Sequence, residues 1–400
     1  MKKLTLCFFC CAAVLVLVLS GGCIQPPLAQ SPNADGPVII GAVLPLTGKF
    51  KEAGERMLNG LRYAEYELNC RRGINNRQVK LQAFDTQSTG EGARSAFAGA
   101  AQSGASGIIC GYSTEEALAA LPLAEHFRVP MVIPLATADA AKGANPYVFR
   151  TAYTDSQQGE ALAAYLWYWR QMLRISLLID SEPDAEYERN TARATAAAFR
   201  DLGGAVTNMP VYQGDNFSKA VDEALMTGPQ AIIVSARGDR AGRILKELRA
   251  KGYQGAVCGL DAWDTPEFFK QVDSIKNPGD CLYVSFFTPS NSVEEFTDFS
   301  RGFRQKFFHA PECWETTSYD ALKMLAIGLG RAKTIEDFKR NWLTIRNHFG
   351  AAATYTMLAD GNVDRTMYIN AVEPKSSNNI RSGGRLIRRF MHSKLSTYRY

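Results

Sequence analysis

Residues 39–69 read IIGAVLPLTGKFKEAGERMLNGLRYAEYELN and combine an apolar run, a polar loop and an amphipathic segment. The apolar run predicts a buried strand over 38–45, and the segment after the loop predicts a helix. Four apolar residues of that segment recur every three or four positions and share one helix face: Met57, Leu61, Ala64 and Leu68. A strand, a loop and a helix in this order are the repeating unit of a parallel sheet.

Phosphate is one candidate for what this loop binds. A phosphate-binding P-loop has two glycines five residues apart, followed by Lys and then by Ser or Thr. Here Gly41 and Gly48 are seven residues apart, and Phe50 stands where a hydroxyl residue should follow Lys49. The loop is therefore not predicted to bind a nucleotide.

Short apolar strands and amphipathic helices continue to alternate along the chain. The further predicted strands cover 79–84, 107–110, 131–133, 175–179, 206–212, 231–234, 257–260 and 282–287. The further predicted helices cover 92–102, 114–127, 157–169, 187–199, 218–226, 241–250 and 318–330, the last capped by Gly330. This alternation predicts an α/β fold with parallel sheets and helices on both faces. Because the pattern restarts after residue 155, it predicts two similar lobes.

The first residues resemble a targeting segment. Lys2 and Lys3 precede an apolar run over 4–19 and then Ser-Gly-Gly-Cys, so residues 1–22 are predicted to be a secretory signal peptide. The apolar run is short for a membrane span. The sequence Ser-Gly-Gly-Cys, residues 20–23, resembles a lipoprotein cleavage site, at which Cys23 would become the lipidated first residue. Ordinary cleavage near Ala29 is the alternative.

The net charge of +5 is concentrated at the two ends of the chain. Lys2 and Lys3 belong to the predicted signal peptide, and residues 381–400 contain six Lys or Arg and no acids, so the remainder carries −3. A slightly acidic body does not predict nucleic-acid binding. Residues 376–400 form a basic tail, which we expect to be solvated and disordered, with contact to an anionic surface as the alternative.

Five cysteines follow Cys23: Cys70, Cys110, Cys258, Cys281 and Cys313. An oxidising compartment permits disulfides, and an odd number leaves one thiol unpaired. Cys258 ends one predicted strand and Cys281 begins the next, so they are the preferred pair.

No motif for metal binding or catalysis is present in the sequence. The histidines, His126, His309, His348 and His392, have no histidine or cysteine partner at metal-ligand spacing. Neither Gly-x-Ser-x-Gly nor Gly-x-Gly-x-x-Gly occurs. We therefore expect a binding protein with no cofactor and no metal rather than an enzyme.

Several separate motifs carry a family resemblance. They are IGAVLPLTG (40–48), NGLRYAEYELN (59–69), FDTQS (84–88), CGYSTEEALAALPLAE (110–125), VPMVIPLAT (129–137), YVFRTAYTDSQQGEALA (147–163) and SYDAL (318–322). In this order they resemble the periplasmic substrate-binding proteins of branched-chain amino-acid ABC transporters, over residues 38–372. The resemblance implies a type I periplasmic-binding fold, in which two Rossmann-like lobes with parallel-sheet cores are joined by three hinge crossovers.

The same resemblance implies domain bounds and a role. Lobe 1 would comprise 37–155 plus 285–362, and lobe 2 would comprise 156–284 plus 363–375. A small ligand, an amino acid or a similar polar molecule, would be clamped between the lobes and delivered to the transmembrane subunits of a permease. The protein would lie in the periplasm or at the cell surface, held to the membrane by a lipid anchor. A periplasmic sensor component that presents its ligand to a separate receptor is the alternative.

The resemblance also assigns residues to an amino-acid ligand. Its carboxylate would bind at a helix N-terminus, where the dipole favours an anion, through Thr114 or, if the alignment shifts by one, Ser113. The alternative role for Ser113 is to cap that helix in a capping box with Glu116. Glu115 and Glu116 would weaken anion binding there if they faced the ligand.

The ligand's ammonium group needs oxygen acceptors. The resemblance implies the backbone of Ala136, the hydroxyl of Thr137 and the carboxylate of Asp261. The alternatives are an ordinary loop cap for Thr137 and a surface turn for Asp261, with Asp264 as a rival.

Aromatic positions show where the sequence departs from the family. Tyr187 matches a tyrosine that closes over the ligand, and Trp314 matches a wall position or is a core residue. Ala53 and Arg237 stand where aromatic residues are expected, so branched-chain specificity does not carry over. Arg237 suggests a ligand with an acidic or hydrogen-bond-accepting side chain, unless it points to solvent or pairs with Asp239.

Overall fold

The structure is a computed structural model that describes Leu28, residues 36–373 and residues 383–393. The strands are β1 (Val38–Leu44), β2 (Val79–Asp85), β3 (Gly107–Cys110), β4 (Met131–Ile133), β5 (Val148–Arg150), β6 (Arg174–Asp180), β7 (Ala205–Asn208), β8 (Val211–Tyr212), β9 (Ala231–Ser235), β10 (Ala256–Gly259), β11 (Cys281–Ser285), β12 (His348–Phe349), β13 (Thr354–Met357), β14 (Val363–Glu373) and β15 (Gly383–Met391). The α-helices are α1 (Lys51–Cys70), α2 (Gly90–Gln102), α3 (Thr114–His126), α4 (Asp155–Ala164), α5 (Glu186–Asp201), α6 (Ser218–Met226), α7 (Gly238–Ala250), α8 (Pro266–Val272), α9 (Glu294–Phe307), α10 (Cys313–Leu329) and α11 (Ile335–Trp342).

The first sheet is parallel and has the order β2-β1-β3-β4-β5. Helix α2 packs on α3, while α1 packs on α10. The contact between α1 and α10 is close: a Cβ added at Gly60 would lie 2.1 Å from the carbonyl oxygen of Glu315. The glycine therefore lets the two helix backbones approach each other.

The second sheet has the order β12-β13-β14-β11-β10-β9-β6-β7, with β15 on β14 and β8 on β6. Strands β6, β7, β9, β10 and β11 are parallel, whereas β14 runs antiparallel to β11. The chain passes between the two sheets after β5, after β11 and again between α11 and β12. The predicted α/β class, with two parallel-sheet cores joined by three crossovers, is confirmed.

Some predicted elements have different bounds. The strand predicted over 206–212 is divided into β7 and β8, and Pro210 lies between them. Proline has no N–H to donate to a ladder, so it interrupts the strand. Helix α10 begins at Cys313, earlier than predicted, because Glu312 and Glu315 form a capping box there. Strands β5 and β12 to β15 and helices α8, α9 and α11 were not predicted.

The predicted disulfide between Cys258 and Cys281 is wrong. In the parallel register Cys258 lies opposite Leu282 and Cys281 opposite Val257, so the two cysteines are offset by one residue. Successive side chains of a strand point to opposite faces. Cys258 accordingly packs in one hydrophobic cluster and Cys281 in another. All five cysteines of the described chain are free thiols.

The prediction for the basic tail is also wrong in part. Residues 383–391 form β15, which pairs antiparallel with β14, so the expectation of a solvated, disordered terminus is wrong for them. His392 and Ser393 follow this strand, and His392 Nε2 lies 2.7 Å from Glu160 Oε2. Residues 376–382 and 394–400 of the tail lie outside the described residues. The predicted signal peptide, 1–22, and Cys23 lie outside them as well.

We expect Phe390→Ala to lower the free energy of unfolding by about 3–5 kcal/mol, because truncating a buried Phe loses its burial and leaves a cavity. Phe390 is 1% exposed, and its ring centroid lies 5.2 Å from that of Trp169. Urea unfolding monitored by circular dichroism measures the change. The neighbouring exposed residue supplies the control, Arg389→Ala, which should unfold as the wild type does. Equal midpoints for the two variants would show that β15 does not stabilise the lobe.

Candidate functional site

A cleft of about 410 Å³ lies between the two sheets. Loops that follow strands of both sheets form its walls, as expected for an open α/β sheet. The cleft lining contains all eight residues singled out by the sequence: Ser113, Thr114, Ala136, Thr137, Tyr187, Arg237, Asp261 and Trp314. The structure therefore brings the whole predicted set together, while the role of each residue stays a prediction.

The N-terminus of α3 carries two adjacent hydroxyls that differ in their hydrogen bonding. Ser113 caps the helix: the Glu116 N–H donates to Ser113 Oγ at 3.2 Å, and the Ser113 N–H donates to Glu116 Oε2 at 3.0 Å. The capping-box alternative for Ser113 is thus confirmed. Thr114 Oγ1 is buried and has no hydrogen-bond partner within the described chain. Buried hydroxyls normally have a partner, so Thr114 retains hydrogen-bonding capacity at the cleft.

The two glutamates beside these hydroxyls are occupied by protein donors. Glu115 Oε1 accepts from the Gly90 N–H at 2.9 Å, at the start of α2. Glu116 accepts from the hydroxyl of Thr86, and burial raises the pKa of its carboxyl. Both engagements reduce the repulsion that an anion at Thr114 would meet.

A carboxylate occupies the opposite side of the cleft. Tyr187 donates its phenolic proton to Asp261 Oδ1 at 2.6 Å, and the Asp261 N–H donates to Gln158 Oε1 at 3.3 Å. Burial raises the pKa of Asp261 to about 6, against the lowering effect of the Tyr187 hydrogen bond. Asp264 also lines the cleft, but burial raises the pKa of its carboxyl to about 7. The two rivals differ in their partners, since Asp261 accepts from Tyr187 whereas Asp264 accepts from the hydroxyl of Ser285.

Ala136 and Thr137 stand on a backbone that buried groups hold in place. Arg150 donates from Nη2 to the carbonyl of Ala138 at 3.0 Å, and the Asp155 N–H donates to the Thr137 carbonyl at 2.8 Å. Burial lowers the pKa of Arg150 to about 10 and raises that of Asp155 to about 7. Sequence reasoning missed both residues. Arg150 within the apolar run YVFRTAY was the available signal.

Arg237 enters the cleft rather than pairing with Asp239. Its Nε donates to Glu188 Oε1 at 2.8 Å, and its guanidinium lies 5.2 Å from the ring centroid of Tyr187 and 5.7 Å from that of Phe50. Asp239 instead pairs with Arg243 at 2.9 Å. The Asp239 alternative is therefore wrong, and Phe50 contacts Arg237 from the other lobe.

The aromatic wall contains residues that the sequence analysis did not assign. Trp314 is 7% exposed and lines the cleft, so it is both buried and a wall residue. Its ring lies 6.1 Å from that of Tyr112, which lies 5.0 Å from that of Phe50. Phe50 and Tyr112 line the same cleft as Ala53. The cleft wall is therefore aromatic there although the aromatic residue expected at position 53 is absent.

Charged pairs at the mouth of the cleft were also missed. Lys49 Nζ lies 3.3 Å from Asp184 Oδ2, which connects the two lobes. Arg240 pairs with Asp180 and with Glu182. Such pairs join loops that are distant in sequence, so spacing along the chain gives no signal for them.

The described residues contain neither a cluster of metal-binding side chains nor a membrane-spanning helix. No three or more His, Cys, Asp and Glu side chains there are grouped so that they could hold a metal ion. Likewise, none of the helices in that part of the chain has the length and apolar character needed to cross a membrane.

Comparisons with known proteins agree with the fold. A family model described as periplasmic binding protein matches residues 37–377. The Leu/Ile/Val-binding protein BraC3 of Rhizobium johnstonii is 25% identical over 317 residues, which cover 78% of this chain and 83% of that protein.

Solved structures share the same architecture. The leucine binding protein LivK of Thermotoga maritima superposes with a TM-score of 0.76 at 22% identity, over 88% of this chain and 98% of that one. The branched-chain amino acid transporter substrate binding protein LivJ of Streptococcus pneumoniae, in complex with isoleucine, gives 0.75 at 22% identity, over 88% and 99%. At these identities the superpositions show the fold.

We expect Tyr187→Phe to raise the pKa of Asp261 above its present value of about 6, because the phenol donates a hydrogen bond to the ionised carboxylate. Titration of the side-chain carboxyl carbons by ¹³C NMR measures the shift. Tyr112→Phe is the matched control, since Tyr112 lines the same cleft and its hydroxyl is not bonded to Asp261 in the described structure. An unchanged titration of Asp261 in Tyr187→Phe would contradict the role given to this hydrogen bond.

Proposed function

Because the chain belongs to the periplasmic binding protein family, we propose that it is the substrate-binding component of an ABC transporter, which binds an amino acid between its lobes and delivers it to the permease subunits. Membership of the family makes the chain an extracytoplasmic binding protein, not an enzyme. The observation that carries the finer proposal is the pairing of an unsatisfied hydroxyl at a helix N-terminus with a carboxylate across one cleft, Thr114 and Asp261.

The helix end suits the carboxylate of an amino acid. The N-terminus of α3 carries partial positive charge and backbone N–H groups. Thr114 adds a hydroxyl that has no partner among the described residues, whereas the Ser113 hydroxyl accepts from the Glu116 N–H in the helix cap. Between the two alternatives this geometry favours Thr114 as the hydroxyl that donates to the ligand.

Other residues of the cleft suit the ammonium group. Asp261 offers an anion, and the Ala136 carbonyl and the Thr137 hydroxyl are oxygen acceptors on the same cleft lining. Asp261 follows β10 of the second sheet, whereas Ala136 and Thr137 follow β4 of the first sheet, which also carries Thr114, so the acceptors for the ammonium group come from both walls. Donors for a carboxylate and acceptors for an ammonium group in one cleft favour an α-amino acid over a simple carboxylic acid or amine, because each of those offers only one of the two groups.

Closure of the lobes would bury such a ligand. Lobe 1, proposed as 37–155 plus 285–362, contributes Lys49 and Phe50 to the mouth. Lobe 2, proposed as 156–284 plus 363–375, contributes Asp184 and Arg237, which contact them. These contacts support a clamped conformation, since hinge rotation of two lobes would break and remake them.

The relatives support transport and an amino-acid cargo. The Rhizobium relative is named as a Leu/Ile/Val-binding protein, and the Streptococcus structure is a transporter binding protein in complex with isoleucine. These names favour transport over the sensor alternative. Because Arg237 stands in the cleft of this chain, the branched-chain preference is not part of the proposal.

We propose in addition that Cys23 is lipidated and tethers the protein beside its permease, on the basis of the sequence Ser-Gly-Gly-Cys after a short apolar run. Mass spectrometry of the mature N-terminus from the membrane fraction should find a lipid-modified Cys23. An unmodified N-terminus near Ala29 would instead indicate ordinary cleavage and a protein that is released.

The proposal is tested by a thermal-shift screen of the standard L-amino acids, followed by calorimetry with the one that stabilises most. A ligand at 100 times its dissociation constant should add about 2.7 kcal/mol of stability. We expect Asp261→Asn to weaken its binding by more than tenfold, because leaving an enclosed ammonium without its anion costs about 2–5 kcal/mol. Wild-type affinity in this variant would remove Asp261 from the site.

Two controls accompany this measurement. Asp298→Asn removes an exposed carboxylate on α9 and should bind as the wild type does. Wild-type affinity should also fall as the pH is lowered through about 6, where Asp261 takes up a proton. In Asp261→Asn this pH dependence should be lost. Failure of every amino acid to stabilise the wild type would contradict the proposed cargo.

A further inference from the structure

The cleft contains, at Arg237, hydrogen-bond donors that no group of the described residues accepts from. A guanidinium has five N–H donors, and the only acceptor for Arg237 within the described structure is Glu188, which binds Nε. The two terminal nitrogens therefore present four N–H groups at the cleft. Arg237 is itself a lining residue with a half-buried side chain.

The position of this guanidinium is fixed from three sides. Glu188 is buried on α5 and holds Nε. The rings of Tyr187 and Phe50 lie at 5.2 and 5.7 Å, close enough for cation–π attraction. A side chain with this support is pre-organised, so donating to a ligand would cost it little conformational entropy.

An aliphatic ligand side chain would be a poor partner for Arg237. It would remove water from the terminal N–H groups of Arg237 and offer them no acceptor, and burying unpaired polar groups is unfavourable. The ligand group facing Arg237 should therefore be an acceptor. This argument concerns the side chain only, because the α-carboxylate and the ammonium have the separate partners proposed above.

The charges around Arg237 decide which kind of acceptor fits. Its positive charge is already offset by Glu188, and Lys49, Arg240 and Arg243 are paired with Asp184, Asp180 and Asp239. Nine acidic and four basic residues line the cleft, so a second carboxylate on the ligand would meet a surplus of like charge. A cationic side chain would meet the guanidinium itself. A neutral acceptor avoids both penalties.

We infer that the ligand is an amino acid whose side chain carries a neutral oxygen acceptor, a carboxamide above all, and that Arg237 determines this specificity by donating to that oxygen. The inference rests on the proposed function and adds the chemical class of the ligand to it. Glu188, Phe50 and Tyr187 act here as positioning residues for the guanidinium.

The test is isothermal titration of the wild type with L-glutamine and L-asparagine, compared with L-leucine, L-valine, L-glutamate, L-aspartate, L-lysine and L-arginine. We expect an amide to bind at least tenfold more tightly than leucine. Arg237→Met should lower amide affinity at least tenfold while leaving leucine affinity equal or higher. Arg301→Met, which removes an exposed arginine on α9, is the control and should reproduce the wild-type order.

A second variant guards against misfolding. Arg237→Met leaves Glu188 buried without its partner, so the double variant Arg237→Met with Glu188→Gln removes both charges together. The double variant should show a cooperative thermal unfolding transition, as a folded protein does. It should also show the same loss of preference for amides as Arg237→Met.

The outcomes separate this inference from the function on which it rests. If no amino acid binds the wild type, the proposed function fails. If leucine or valine binds as tightly as the amides and both variants leave that affinity unchanged, the proposed function stands and the inference is overturned. Tightest binding of an acidic or a basic amino acid overturns it too, since the charge argument would then be wrong.

Discussion

Parallel strands place all their carboxyl ends at one edge of a sheet, and in this protein the edges of both sheets meet at a single cleft. The loops there can carry polar groups because short apolar strands such as β3 and β9 are fully buried and hold them in place. Rotation of one sheet relative to the other would then move complete walls rather than single side chains. Ligand recognition in this fold is consequently a property of two rigid surfaces.

The sequence predicted this framework because its signals are local. Apolar strands, helix caps and loop positions can be recognised within a few residues, and the loops containing Thr114, Thr137 and Asp261 were located in that way. The Arg237–Glu188 pair and β15 were not predicted, since each depends on contacts between distant parts of the chain. The cysteine pairing failed for a related reason: adjacency of two strands is predictable, but their register is not.

Two carboxyls of the cleft have raised pKa values because they are buried. Burial raises the pKa of Asp261 to about 6 and that of Asp264 to about 7, whereas a free aspartate titrates near 3.9. Groups with raised pKa values favour the folded state at low pH, and this contribution is lost as the pH rises through about 6 to 7. Asp261 and Asp264 thus contribute less to stability near neutrality than at mildly acidic pH, and a cation bound beside them would offset that loss.

The contrast between neighbouring groups shows how such a cleft combines stability with binding. Ser113 satisfies the end of α3, while the adjacent Thr114 hydroxyl has no partner in the described chain. Arg237 likewise uses Nε to fix its position and leaves its terminal nitrogens for another acceptor. In each case one donor or acceptor set holds the scaffold and the next one remains unsatisfied. Unsatisfied polar groups cost stability, and because Thr114 and Arg237 both line the cleft, a polar ligand bound there would satisfy both of them.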